Sequence, residues 1–391
     1  MKRPVYILPL IVVSQFAGTS LWFAVNAVLP EIIQNQNLSD LGNITAIIQL
    51  GFIVGTLVFA ILSVADRFSS SKIFFISSLL AAAANFCVIW VSKNIEAIYV
   101  LRFITGFFLA GIYPVGMKIA ADWYDQGLGK ALGFLVGALV LGTAFPNLLK
   151  LRVFQLEWDQ ILVFTSAFAL LGGVLILLFV GDGPYKKVSR HFQPSATFKI
   201  FQSADFRSAA IGYFGHMWEL YTFWSFVPLI LLSYYTHHQL NSNAYGWAFI
   251  IIAIGSIGCA MGGYFSQKMG SARVAFYSLM VSGLCCFLSV FINQFPPSVF
   301  YLFMLVWGIS VIADSPQLST LVAQMAPTAN KGTALTIVTS IGFAITILSI
   351  QFVTFLFADW ENKQIIFLTL VPGPIIGLIS LRRLMKRRSD Q

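Results

Sequence analysis

Residues 158–181 read WDQILVFTSAFALLGGVLILLFVG, and residues 182–207 continue with DGPYKKVSRHFQPSATFKIFQSADFR. The first segment is long enough to cross a bilayer, because a spanning helix needs about 20 mainly apolar residues. The second segment is the one substantial polar stretch of the chain. We therefore interpret 182–207 as a cytoplasmic linker between two groups of membrane spans.

Six apolar runs precede this linker and six follow it. The predicted spans lie near residues 5–30, 41–64, 72–92, 96–121, 130–149 and 158–180, and then near 208–234, 244–265, 274–293, 298–323, 332–357 and 364–381. The sequence thus predicts an all-α membrane protein of twelve transmembrane helices. Its two six-helix halves are residues 1–181 and 208–391.

Composition supports the same class. Of 391 residues, 58% are hydrophobic and 10% are charged, whereas soluble domains carry about 25% charged residues. These values disfavour an ordinary soluble enzyme and a disordered chain. The four cysteines lie in apolar runs without metal-ligand spacing, so we expect buried thiols, with no disulfide framework, metal or cofactor.

The basic residues indicate the orientation. If both termini are cytoplasmic, 19 of the 24 Lys and Arg residues fall on the cytoplasmic side and four fall in outer loops. This asymmetry is the positive-inside rule, and it predicts a multi-pass protein of the cytoplasmic (inner) membrane. Because the charge is spread over many loops, we expect the lipid bilayer and no nucleic acid as a partner. We also expect a monomer.

An internal repeat appears when the second half is placed over the first at an offset of about 201 residues. The residues that align are Asp66-Arg67 with Gln267-Lys268, Tyr113-Pro114 with Ser315-Pro316, and Ser20-Leu21-Trp22 with Glu219-Leu220-Tyr221. Parallel repeats of six helices are typical of transporters whose substrate site lies near the bilayer midplane.

The loops after the second and eighth runs carry a motif of glycines, an acid and basic residues. One copy has Asp66, Arg67 and Lys72, with Leu62 and Ser69 where the motif has glycines; the other has Gly263, Lys268, Gly270 and Arg273, with Gln267 for the acid. Arg102 and Gly106 add an Arg-x3-Gly pattern in helix 4. On these motifs the whole chain resembles the major facilitator superfamily.

That resemblance implies a secondary transporter with alternating access. It implies a central cavity lined by helices 1, 4, 7 and 10, and a cytoplasmic gate formed by Asp66, Arg67, Gln267 and Lys268. The alternative to a gate is a cytoplasmic turn whose basic residue only follows the positive-inside rule. This alternative explains Arg67, but it does not explain an acid at Asp66.

Four ionisable residues lie deep in predicted spans: Arg102, His216, Glu219 and Asp314. Such groups are costly in lipid and normally face a cavity or a partner. We expect all four in proton coupling. Glu219 is the expected carrier, and His216, three residues earlier on one helical face, is expected to tune it or to contact substrate. For Arg102 the resemblance implies a role in proton transfer or in binding substrate charge. The alternatives are interhelical hydrogen bonds for His216 and Glu219, a salt bridge or helix-bend bond for Asp314, and a structural ion pair for Arg102.

Polar and aromatic residues of the same helices are candidates for the substrate cavity. They are Gln15, Trp22, Asn26, Tyr113, Trp218, Tyr221, Trp307 and Gln317. The alternative for the aromatic residues is packing or anchoring at the membrane interface. The glycine pairs Gly51/Gly55, Gly133/Gly137 and Gly258/Gly262 predict close helix packing.

The function predicted is proton-coupled uptake of a small organic solute. No phosphate-binding glycine loop is present, which favours an ion gradient over ATP as the energy source. A single embedded arginine disfavours nitrate-like or phosphate substrates. Proton-driven efflux of drugs or metabolites is the alternative. A membrane-embedded enzyme or a receptor is less favoured, because HExxH and GxSxG are absent and a receptor does not need two similar halves.

Overall fold

The computed structural model describes residues 4–32, 38–124, 128–186, 200–327, 331–359 and 365–386. All regular structure within these ranges is helical. The chain divides into two compact units, residues 1–192 (unit 1) and 193–391 (unit 2). The boundary between the units lies within the predicted linker, 182–207.

Unit 1 contains nine α-helices in the described residues. They are α1 Ile7–Thr19, α2 Ala24–Ile32, α3 Leu38–Ile61, α4 Val64–Arg67, α5 Ser70–Cys87, α6 Ile95–Leu109, α7 Tyr113–Trp123, α8 Leu128–Leu149 and α9 Trp158–Leu175. Side-chain caps begin two of them, since Ser69 accepts from the Lys72 amide and Asn94 from the Ala97 amide.

Unit 2 contains eight α-helices in the described residues. They are α10 Ala204–His237, α11 Ala244–Ala253, α12 Gly255–Met269, α13 Ser271–Leu288, α14 Pro297–Ala313, α15 Ser315–Met325, α16 Lys331–Asp359 and α17 Pro372–Lys386. Ser203 and Asn243 cap α10 and α11 in the same way as in unit 1.

Eleven of the twelve predicted spans coincide with helical segments long and apolar enough to cross a membrane. The predicted seventh span is α10, which is 34 residues long and therefore about 51 Å, longer than the hydrocarbon core. Its mean hydropathy is lower than that of the other spans, because it carries His216, Glu219 and many Tyr, Trp, Ser and Thr side chains. The count of twelve stays a prediction, as does the cytoplasmic location of the termini, whose ends at 1–3 and 387–391 lie outside the described residues.

Helix packing follows the same order inside each unit. In unit 1 the first span packs on the fifth and sixth spans, α8 and α9, while α3 packs on α6. In unit 2 the first span, α10, packs on the fifth and sixth spans, α16 and α17, while α12 packs on α14. The weak sequence repeat therefore corresponds to a repeated packing arrangement.

Glycines allow the second and fourth spans of each unit to touch backbone to backbone. A Cβ placed on Gly51 would lie 2.1 Å from the Phe103 carbonyl oxygen of α6. In unit 2 a Cβ on Gly258 would lie 2.7 Å from the Ile309 carbonyl oxygen. The close packing predicted for these two glycine pairs is therefore confirmed.

The same prediction was wrong for Gly133. A Cβ on this residue of α8 would meet nothing within 4 Å. Glycine spacing on one helix shows that a close approach is possible, but a neighbouring helix must be present on that face for the approach to occur.

The eighth span breaks at Ile254, between α11 and α12, and three further spans are interrupted beside predicted site residues. The first predicted run, 5–30, breaks between α1 and α2 at residues 20–23, contrary to the single helix expected. The fourth span breaks before Tyr113-Pro114, and the tenth breaks at Asp314, before Ser315-Pro316. Proline lacks an amide proton and clashes with the preceding turn, which explains the breaks in the fourth and tenth spans.

Replacing Gly51 by Ala tests the backbone contact. The added methyl overlaps the Phe103 carbonyl, and overpacking costs about 1–3 kcal/mol. Because each kcal/mol shifts Tm by about 2–4 °C for a unit of this size, we expect Tm in detergent to fall by several degrees. The matched variant Gly133→Ala should leave Tm unchanged or raise it, since its methyl meets open space. Equal Tm values for the two variants would contradict the packing.

Candidate functional site

Glu219 lies in the middle of α10 and is 1% exposed. Its Oε1 accepts a hydrogen bond from Trp307 Nε1 at 2.7 Å, and its Oε2 accepts one from Ser282 Oγ at 2.9 Å. Both donors are neutral groups, from α14 and α13. Within the described part of unit 2 no Lys, Arg or His nitrogen lies within ion-pair distance of this carboxyl.

One turn earlier on α10, His216 contacts Asp314. His216 Nδ1 lies 2.9 Å from Asp314 Oδ1, and both side chains are almost completely buried. Asp314 occupies the interruption between α14 and α15, where the Pro316 bend ends one helix and begins the next. His216 Nε2 and Asp314 Oδ2 have no hydrogen-bond partner among the described residues.

Unit 2 therefore brings together His216, Glu219 and Asp314, three of the four predicted coupling residues, with Trp307 from the predicted cavity. A carboxyl held by neutral donors can exchange a proton without breaking an ion pair. The two hydrogen bonds fix its position in either protonation state, because a protonated carboxyl keeps acceptor capacity. The cluster has the chemistry of a proton-binding site.

Arg102, the fourth predicted coupling residue, belongs to unit 1 and is completely buried. Its Nη1 donates to the Leu21 carbonyl at 3.1 Å, and its Nη2 donates to the Trp22 carbonyl. The break between α1 and α2 frees those carbonyls from helical hydrogen bonds. The alternative prediction of a structural ion pair with an acid is not what the described residues show, because a broken helix supplies the partners instead.

The predicted cavity residues of unit 1 lie around the same break. Trp22 is buried, with its ring 5.0 Å from that of Phe52, and Asn26 Nδ2 donates to Thr45 Oγ1 at 2.6 Å. Gln15 is buried against Gly116 of α7, and Tyr113 begins that helix.

The predicted cavity residues of unit 2 lie on the seventh and tenth spans. Trp218 Nε1 donates to the Thr369 carbonyl at 2.8 Å. Tyr221 packs its ring against Trp224 and Phe343. Gln317 is buried in α15. Trp218 and Tyr221 thus have packing roles in addition to the cavity role, which stays a prediction.

The predicted gate residue Asp66 forms an ion pair with Lys118 at 3.0 Å. Lys118 also lies 3.7 Å from Asp122, the pairing that their spacing predicts. Arg67, Gln267 and Lys268 are exposed. In the second copy of the motif Gly270 has φ +84°, whereas its counterpart Ser69 in the first copy has φ −67° and caps α5. Only the second copy therefore requires glycine at this position.

The start of the predicted linker is attached to this loop. Asp182 Oδ1 accepts from Ser69 Oγ at 2.9 Å and from the Ser71 amide at 3.2 Å, and Asp182 Oδ2 lies 3.2 Å from Lys186 Nζ. Burial raises the pKa of the Asp182 carboxyl, but these hydrogen bonds and the Lys186 charge outweigh it, so the pKa lies below its ordinary value.

Two residues near these sites were missed by sequence reasoning. Ser282 is one of several serines in an apolar run, and nothing in the sequence distinguishes it. Gln49 is completely buried in α3. A search restricted to ionisable groups passed over it, although a lone amide in the middle of an apolar run was a usable signal.

The sequence profile of the Major Facilitator Superfamily matches residues 11–350. The chain belongs to the Major Facilitator Superfamily. This match confirms the superfamily resemblance seen in the loop motifs.

A region of 98 residues, 24% of this superfamily member, is 36% identical to the probable galactarate/D-glucarate transporter GarP of Escherichia coli strain K12. That region spans only 20% of GarP. The human organic anion transporter MFSD10 (TETRAN) has the same fold, with a TM-score of 0.73 and 14% identity over 97% of this chain and 100% of its own. The nucleoside transporter NupG (D323A mutant) also has this fold, with a TM-score of 0.72 and 14% sequence identity. The alignment covers 96% of this chain and 99% of NupG.

The His216–Asp314 contact can be measured by a double-mutant cycle. Each single change, His216→Gln or Asp314→Asn, leaves the other buried group without its partner, so we expect both to lower Tm in detergent. The double variant should be less destabilised than the sum, with a coupling of about 1–3 kcal/mol. Additive effects would show that the 2.9 Å contact has no energetic weight.

Asp182→Asn tests the linker attachment through pH. A carboxyl whose pKa is lowered by folding adds stability that is present above its ordinary value, about 3.9, and is lost as pH falls through the folded-state pKa. We expect the Tm difference between wild type and variant to be largest at pH 6–8 and to disappear in acid. A difference independent of pH would contradict the assignment.

Proposed function

We propose that this protein is a secondary active transporter that couples proton entry to the uptake of a small organic solute, with Glu219 as the proton carrier. The observation that carries the proposal is a fully buried carboxyl held by two neutral donors, Trp307 and Ser282. Burial opposes the charged form, and no cation lies within ion-pair distance among the described residues to favour it.

His216 and Asp314 have a supporting function in this scheme. Their contact fixes His216 one turn from Glu219 on the same face of α10. The same contact connects α10 to the bend at Asp314 in the tenth span. Substrate binding or release can alter that bend. A change of the bend is thereby connected to the helix that carries the proton.

The names of the similar proteins favour an organic solute. They are described as transporters of galactarate or D-glucarate, of organic anions and of nucleosides. The GarP match covers a quarter of this chain and the other two share only the fold, so they support the substrate's general size and chemistry. Proton-driven efflux of a drug or metabolite is the second candidate, since a single proton carrier serves either direction.

Glu219→Gln tests proton coupling. We expect proteoliposomes with this variant to lose accumulation driven by a pH gradient while keeping counterflow exchange, because the amide keeps hydrogen-bonding capacity but cannot exchange a proton at working pH. The exposed Glu96→Gln is the matched control and should accumulate like wild type. Accumulation by Glu219→Gln equal to wild type would refute the role of Glu219.

The sign of the gradient separates uptake from efflux in the same assay. Solute accumulation in proteoliposomes with an alkaline interior indicates symport, because protons and solute then enter together. Accumulation with an acidic interior indicates antiport.

A further inference from the structure

Arg102 is a buried charge without a counter-charge. Its guanidinium is completely buried in unit 1, and within the described residues no carboxylate lies within ion-pair distance. The two carbonyls that it contacts satisfy hydrogen bonds but do not neutralise the charge. Its Nε has no hydrogen-bond partner among the described residues. Buried charges are normally paired, so Arg102 is a candidate to bind an anion.

Gln49 is a second unsatisfied group at the same level of unit 1. It is completely buried, and neither Nε2 nor Oε1 has a hydrogen-bond partner among the described residues. Leaving a buried amide unsatisfied costs free energy at each polar atom, because its hydrogen bonds to water are lost without replacement. Such a residue is expected where a ligand completes its hydrogen bonds.

Helix packing places Gln49 and Arg102 side by side. A Cβ on Gly51 would lie 2.1 Å from the Phe103 carbonyl oxygen, and a Cβ on Gly106 would lie 2.1 Å from the Ile48 carbonyl oxygen. Gln49 is adjacent to Ile48 in α3, and Arg102 is adjacent to Phe103 in α6. The two side chains therefore start from neighbouring backbones at one depth.

Both residues are on the side of their helices that meets the break in the first span. Arg102 reaches the break directly, through the Trp22 carbonyl. On α3, Thr45 contacts Asn26 and Phe52 packs on Trp22. Gln49 is four residues after Thr45 and three before Phe52, which puts it on the same helical face between these contacts.

We propose that Gln49 and Arg102 form a carboxylate-binding subsite, and that the transported solute is a small hydroxycarboxylate. This inference rests on the transport function proposed above and specifies its substrate class. A carboxylate accepts from Arg102 Nε and Gln49 Nε2, one at each oxygen, and neutralises the guanidinium. Gln49 Oε1 and Asn26 Oδ1, also without partners among the described residues, accept from hydroxyl groups of the same solute.

Ligand-dependent thermal stabilisation of the purified full-length chain in detergent, with no proton gradient, tests the subsite. The probes are malate, gluconate and benzoate, each compared with the neutral alcohol of the same skeleton: butanetriol, glucitol and benzyl alcohol. We expect malate or gluconate to raise Tm and their neutral counterparts to have no effect. No stabilisation by either hydroxycarboxylate, or equal stabilisation by the alcohols, overturns the proposal.

Two substitutions at Gln49 separate a ligand role from a structural one. Gln49→Leu should bind the stabilising carboxylate about tenfold more weakly or worse, yet keep or raise the Tm of the unliganded protein, because it removes an unsatisfied amide. Gln49→Glu should abolish carboxylate stabilisation by pairing with Arg102 internally. Wild-type binding by either variant overturns the subsite, as does a lowered unliganded Tm for Gln49→Leu.

Two further variants complete the design. Thr56→Val removes another buried hydroxyl without a hydrogen-bond partner from the same helix, two turns from Gln49, and should bind the carboxylate like wild type. The exposed Glu96→Gln, outside both the subsite and the proton-carrying cluster, should also keep carboxylate stabilisation. Proton coupling is measured by gradient-driven accumulation, and the subsite by binding without a gradient. Failure of proton coupling and failure of the subsite are thus observed in different assays. Lost binding in Thr56→Val would overturn the assignment to Gln49.

Discussion

Hydrocarbon offers no hydrogen bonds, so every polar group within a membrane span has to find its partner inside the protein. This constraint accounts for the helical character of the described chain, since a helix satisfies its own backbone. It also determines where polar side chains can lie. In this protein the deeply buried ionisable groups of the spans are turned toward other helices, and each one marks a place where the helical backbone or a neighbouring side chain provides donors or acceptors.

Close helix packing makes this internal satisfaction possible. The glycine contacts bring α3 against α6 and α12 against α14 at backbone distance. Side chains that flank those contacts can then donate hydrogen bonds to the first span of their own unit, as Arg102 does to Leu21 and Trp307 does to Glu219. A bulkier residue at the crossing would move these donors away from their acceptors. The small residues are therefore part of the site as well as of the core.

The sequence predicted the spans well because hydropathy and length are properties of each segment alone. It also drew attention to His216, Glu219 and Asp314, which unit 2 buries close together, because an ionisable group in an apolar run is conspicuous. It did not predict the partners. Ser282 looks like any other serine, and the break at residues 20–23 has no proline to announce it. Both depend on which face of one helix meets another, which neither periodicity nor composition encodes.

The two units place opposite charges at the equivalent contact between their first and fourth spans. In unit 1 the first span opens at Leu21 and Trp22, and a fixed positive charge from the fourth span, Arg102, binds the released carbonyls. In unit 2 the aligned segment stays helical and carries Glu219, which accepts from Trp307 of the fourth span. In both units the fourth span donates and the first span accepts, but the ionisable group is the donor in unit 1 and the acceptor in unit 2. A guanidinium stays charged at all working pH values, whereas a carboxyl can be neutralised by a proton. Under the function proposed above, unit 1 holds the anion with a permanent charge and unit 2 exchanges the proton, so one repeated contact serves both halves of the symport of an acid.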